Sequence, residues 1–178
     1  MNANHARLIV ILSAIVAAAA MRLVPHPPNF APLAAMALFS GAYVGKRALA
    51  FAAPLGALLL SDLVLGFYPE LAFVYLSVAA TVLIGWFVAR HRTVIRVGLA
   101  ALAASVLFFL VTNFGVWVLM DYYPHTASGL LACYVAAIPF FQNTLAGDLF
   151  YSALLFGGFA LLERAVPRIR TGGTCQPA

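Results

Sequence analysis

Few side chains in this 178-residue protein can do chemistry, and those few lie in apolar surroundings. Asp62 follows Ser61, Asn113 follows Thr112, and Asn143, Thr144 and Asp148 open the last hydrophobic run. Asn29 starts another run, with His26 just before it and His125 on a later loop. A wall facing lipid needs neither Asp nor Asn, so polar groups at such positions point to ligand contacts or to hydrogen bonds between helices. The chemistry they suit is binding. Asn113 would hydrogen-bond a solute, Asp62 and Asp148 would meet donors or a cation, and Trp117, one turn from Asn113, would stack on a flat ring.

Catalytic patterns are missing. The chain has no phosphate loop of the Gly-x-x-x-x-Gly-Lys-Ser/Thr type, no His-Glu-x-x-His, no paired Cys-x-x-Cys and no Gly-x-Ser-x-Gly. No catalytic residue, cofactor or metal is therefore expected, and His26 and His125 read as solvated loop residues rather than as ligands. Cys133 and Cys175 fall on opposite sides of the proposed membrane and cannot pair.

The elements that position these residues follow from charge. Nine of the ten Lys and Arg fall on alternate turns: Arg7 before the first apolar run, Lys46 and Arg47 between the second and third, Arg90, Arg92 and Arg96 between the fourth and fifth, and Arg164, Arg168 and Arg170 after the last. The other turns carry His26, Glu70, Asp121 and His125, with Arg22 the single exception. Basic residues in short loops stay on the cytoplasmic side. With 65% hydrophobic and 8% charged residues and a mean hydropathy of +1.01, the chain has no soluble surface to offer. The same distribution accounts for the net charge of +5 without nucleic acid, since the basic residues do not form one patch.

The pattern predicts an all-α membrane protein with six crossings and both termini cytoplasmic. The spans are Arg7 to Leu23, Phe30 to Val44, Ala48 to Phe67, Leu71 to Ala89, Val97 to Met120 and Asn143 to Glu163, against the roughly 20 apolar residues that a crossing needs. The second is short, which suits a position surrounded by protein, and Pro25, Pro27 and Pro28 set its start. Residues 127–141, which close near Pro139, read as a re-entrant or outer-surface helix. One transmembrane domain over 1–166 and a flexible cytoplasmic tail over 167–178 complete the expectation. A rival for the first span is a cleaved signal peptide ending in Ala17 to Ala20.

Each polar residue also has a plain structural role to weigh. Asn29 could cap span 2, and Asn143 or Thr144 could cap span 6. Asp148, in the first turn of span 6, would be favoured by the helix dipole, whereas Asp62, at a helix C-terminus, would not. Tyr122 and Tyr123 fit an interfacial aromatic belt, and Trp86 an anchor at the other interface. Ala14 with Ala18, and Gly41 with Gly45, form small-residue faces of the kind that let helices approach in lipid.

The run from Arg22 to Gly45 (RLVPHPPNFAPLAAMALFSGAYVG), with Leu60–Gly66 (LSDLVLG), Thr112–Trp117 (TNFGVW) and Cys133–Phe141 (CYVAAIPFF) through Gly147-Asp148, resembles a small bacterial membrane family without assigned function. That family is in turn similar to the substrate-binding S components of energy-coupling factor vitamin transporters. The resemblance implies a high-affinity outward pocket for a vitamin-like solute, capped by the loop after span 1, in the bacterial inner membrane. It also implies a coupling subunit with separate ATPases, docked on the Ala14/Ala18 face; the Gly41/Gly45 face, read from spacing, is a second docking candidate. A solitary branch of those proteins takes up cobalamin and uses a cysteine near the ligand, which makes Cys133 a candidate, with a buried inert thiol as the alternative. The expected pocket is lined by His26, Asn29, Asp62, Asn113, Trp117 and Asp148. The rival expectation is an assembly or structural protein without a ligand, whose polar residues only tie helices together.

Overall fold

A computed structural model of the chain describes residues 3–170, and every regular element among them is a helix. Helix α1 runs over Ala3–Ala20 and ends in a tight turn, Met21–Leu23. It is followed by α2 (Leu33–Tyr43), α3 (Arg47–Leu65), α4 (Leu71–Ala89) and α5 (Val94–Leu119). The next, α6 (Ala127–Ser152), continues through a widened π turn, Ala153–Gly157, into α7 (Gly158–Ala165). Local signals set several starts: the Thr93 and Thr126 hydroxyls accept from the amides of Arg96 and Gly129 and cap α5 and α6. With the α6–α7 rod taken as one unit, five helices among the described residues are long and apolar enough to cross a membrane, so the chain is a multi-pass membrane protein.

The exception is α2. It has eleven residues, and all nine from Ala34 to Ala42 are buried. At about 1.5 Å per residue it reaches about 16 Å, roughly half the hydrocarbon thickness. It lies at the centre, packed on α1, α3, α4, α5 and α6. Its closest neighbour is α4, where Gly41 meets Gly85: a Cβ on Gly41 would lie 2.2 Å from the Val82 carbonyl oxygen, and one on Gly85 2.6 Å from that of Leu38. Only two glycines permit that approach.

Polar groups tie down the basic end of the bundle. Arg92 donates from Nε (3.1 Å) and Nη2 (2.7 Å) to the Ala42 carbonyl, one of the carbonyls that α2 leaves unpaired at its C-terminus, and stacks 4.2 Å over the Tyr43 ring. Ser40 Oγ donates to Ala50 O at 2.8 Å across the turn into α3. Arg7 pairs with Glu163, donates to Ile169 O at 2.7 Å and lies over the Phe159 ring.

Several expectations change. Arg7 lies inside α1 and is buried, because Glu163 and Ile169 O take its charge and donors. The second helix starts at Leu33 rather than Phe30, so Asn29 does not cap it. Residues 127–141 are not a separate re-entrant helix but the first part of the 39-residue rod. Pro139 does not end that rod, because α5 holds it on both sides: Tyr134 Oη donates to Leu110 O at 2.9 Å, and Phe109 packs edge-on against Phe141. At about 1.5 Å per residue the rod is nearly 60 Å long, so part of it extends beyond a bilayer core of about 30 Å. The tail is docked at its start: Pro167–Ile169 form a turn, and Ile169 is buried against α1. Residues 171–178, with Cys175, lie outside the described residues.

The small-residue faces turn inward. Ala18 is buried and Ala14 half-buried against the core, so this face is occupied by the chain's own helices. Gly41 is in the α2–α4 contact, while Gly45 lies beyond the end of α2 with nothing near its missing Cβ. Gly41→Ala is therefore expected to destabilise the bundle by about 1–3 kcal/mol through overpacking, whereas Gly45→Ala is neutral. Thermal unfolding in detergent checks this, and equal losses in both variants would contradict the packing described.

Candidate functional site

Because α2 covers only half the depth of the bundle, the other half of the centre is filled by the chain entering it, residues 24–32, and by open space. The prolines at 25, 27, 28 and 32 hold this stretch extended, and Asn29 turns it with a left-handed φ of 63°. The Asn143 amide fastens the turn to α6 by donating to Pro28 O at 3.0 Å. At Gly147, α6 comes so close to the loop that a Cβ would lie 3.2 Å from Phe30 Cα.

Between this loop, the α3–α4 turn, α5 and α6 lies a cavity of about 490 Å³. Four of the residues expected to bind line it: His26, Asn29, Asn113 and Asp148. Phe108 and Phe109 from α5 and Phe140 and Phe141 from α6 supply aromatic surface. Thr112 and Thr144 add hydroxyls, and Arg22, Tyr68 and Glu70 add polar groups.

Asp148 is 2% exposed and accepts from Ser105 Oγ at 2.6 Å. Its other neighbour is the backbone of Ala34, in the first turn of α2. The carboxylate thus serves an N-terminus that has no side-chain cap of its own. Asp148 does benefit from a helix dipole, but from that of α2: the continuity of the rod puts residue 148 far from the first turn of its own helix.

Asp62 does not line the cavity. It is fully buried, pairs with Arg22 (Nη1 to Oδ1, 2.7 Å) and accepts from Tyr75 Oη at 3.0 Å. Arg22 also donates to Ser61 Oγ. This pair is the reason a carboxylate is tolerated at the unfavourable end of α3. It also explains Arg22, the one basic residue out of place in the charge pattern, which reaches the cavity wall. Close by, burial raises the Tyr68 phenol above its ordinary pKa, and the Asp62 charge adds to this against Arg22, so the hydroxyl stays protonated as a donor.

Two expected residues lie elsewhere. Trp117 does not face the cavity: its Nε1 donates to Pro124 O at 2.9 Å, and its ring packs on Phe114 and His125, bracing the α5–α6 loop. Cys133 is buried and donates weakly to Asn113 O at 3.4 Å, behind the wall rather than on it. Both were placed on the cavity side by sequence position, but neither points inward, because α6 packs along α5 and takes up those faces. Glu70, Tyr68 and Arg22 are polar lining residues that sequence reasoning missed, as it did Phe108 and Phe109. The visible signal was Arg22, whose exceptional position asked for a buried acid.

Since Arg22 and Asp62 are each buried mainly against the other, removing one leaves the other charge unpaired. Asp62→Leu alone should cost about 3–5 kcal/mol, and the double variant Arg22→Met/Asp62→Leu should recover most of that loss. A double-mutant cycle on thermal stability measures it, and additive losses would refute the pairing. No curated protein and no solved structure matches the chain. A family match does span nearly all of it: over residues 2–169 the chain belongs to the family of unknown function DUF6580.

Proposed function

We propose that this protein is a substrate-binding membrane subunit for a small, vitamin-like solute. The observation that carries the reading is the cavity of about 490 Å³ between the proline-rich loop, the α3–α4 turn, α5 and α6, with polar groups set in an aromatic wall. Its size and mixed lining suit a small-molecule site. Asn113 holds the solute, the phenylalanines of α5 and α6 pack on it, and the proline-rich loop, fastened through Asn143, serves as the lid. Nothing in this reading requires catalysis, and the chain acts without a cofactor.

The basic end of the bundle faces the cytoplasm by the positive-inside rule, so the cavity opens outward from a bacterial inner membrane. The S-component likeness supports uptake as the purpose. Two refinements follow from the geometry. The cavity volume of about 490 Å³ suits a compact, drug-sized solute, and cobalamin stays a candidate only if the open side of the cavity takes part of it. A coupling subunit with separate ATPases would have to dock on a surface other than Ala14 and Ala18, since that face is taken by the bundle.

A ligand-free structural protein is the second reading, favoured by the fact that Asp62, Asp148, Asn143 and Trp117 all have partners within the chain. Asn113→Ala separates the two. Wild type and variant are purified from the native host in mild detergent, and their small-molecule content is compared by mass spectrometry. Binding predicts one compound at near-equal molar ratio in wild type and its loss from an equally well-inserted variant. The same lipid-only profile in both, with lower thermal stability in the variant, would sink the binding reading.

A further inference from the structure

The hydrogen-bond directions inside the cavity carry information about its ligand. Thr112 Oγ1 donates to Phe108 O at 2.7 Å and Thr144 Oγ1 to Phe140 O at 3.3 Å, so both hydroxyls have used their only proton on their own helix. Asn113 Nδ2 donates to Phe109 O at 2.8 Å, and its Oδ1 has no partner among the described residues. What these groups present to a ligand is largely lone pairs.

Charge points the same way. The one guanidinium on the wall, Arg22, is already paired with Asp62. Glu70 lines the cavity and forms no ion pair among the described residues, nor does its side chain turn back to cap α4. Asp148 adds a second lining carboxylate without a cationic partner. Arg22 and Asp62 therefore cancel, and Glu70 is a lining charge that has no counterion among the described residues. The rings of Phe108, Phe109, Phe140 and Phe141 add the negative faces that attract an organic cation.

Resting on the reading of the cavity as a ligand site, we propose that its ligand is an organic cation: a flat, nitrogen-rich ring system with several N–H donors, its charge directed at Glu70 and its donors at Thr112, Asn113 and Thr144. A carboxylate or phosphate of the same size would find a donor in the Tyr68 hydroxyl, but it would face the Glu70 carboxylate, the lone pairs of Thr112, Asn113 and Thr144, and a guanidinium already engaged. Selectivity then comes from leaving the wrong ligand unpaired rather than from shape.

Two size-matched fluorescent probes test this on the full chain in nanodiscs of neutral phosphatidylcholine. Proflavine is a planar cation with two amino groups, and anthracene-9-carboxylate is a planar anion. Wild type should bind proflavine in a manner lost in Asn113→Ala, Glu70→Gln should weaken that binding about tenfold or more, and Glu70→Asp should keep most of it. Anthracene-9-carboxylate should show no Asn113-dependent binding. Unchanged proflavine affinity in Glu70→Gln, or Asn113-dependent binding of the anion, would overturn the cation assignment while leaving the cavity a ligand site. If neither probe gives Asn113-dependent binding and no compound copurifies, the cavity reading fails and the cation assignment fails with it.

Discussion

A helix that is buried on every side but too short to cross the membrane is the constraint from which the rest of this structure follows. The eleven residues of α2 end about halfway, and in a hydrocarbon environment both of its ends need partners for their free backbone groups. Arg92 answers the carbonyls at one end. Asp148, held by Ser105, answers the Ala34 amide at the other. The depth that α2 does not fill is left to an extended, proline-rich chain, and extended chain packs less densely than a helix. The cavity is the consequence.

The same constraint explains why the polar residues gather where they do. Several intramembrane polar groups are engaged by the chain itself: Asp62 by Arg22 and Tyr75, Asp148 by Ser105, Asn143 by the loop. Such ties are worth on the order of 0.6–2 kcal/mol each in a membrane protein, or more where a charge is involved, which is enough to fix helix positions. A structural role and a binding role are not exclusive here. Asp148 holds the start of α2 and still lines the cavity. Glu70 and the acceptor oxygen of Asn113 are different, since neither has a partner among the described residues, and the chemistry of the cavity is read best from them.

Much of the fold was legible in the sequence because charge and hydropathy act over whole segments. The span Leu71 to Ala89 coincides with α4, and the alternation of basic turns placed Arg7, Lys46, Arg92 and Arg164 at one end. What was not legible depends on facing and on packing between helices. Pro139 reads as a break, yet α5 supports the helix on both sides of it, and this moved Asp148 from a first turn to the middle of a rod. Trp117 and Asn113 share a helix face by spacing, but the α5–α6 loop offered the indole a carbonyl at Pro124 and turned it away. The glycine contact at Gly41 pairs with Gly85 of α4, not with Gly45, and no local motif announces a partner 44 positions away.

The central claim is that the space beside the short helix is a ligand site. An experimental density map of the protein purified from its native host, in a lipid nanodisc, tests it most directly. The account predicts a discrete, compact feature between Glu70, Asn113 and the phenylalanines of α5 and α6, beneath the proline-rich loop. A cavity collapsed by inward-packed side chains, or one holding only a lipid tail entering from the membrane side, would contradict it.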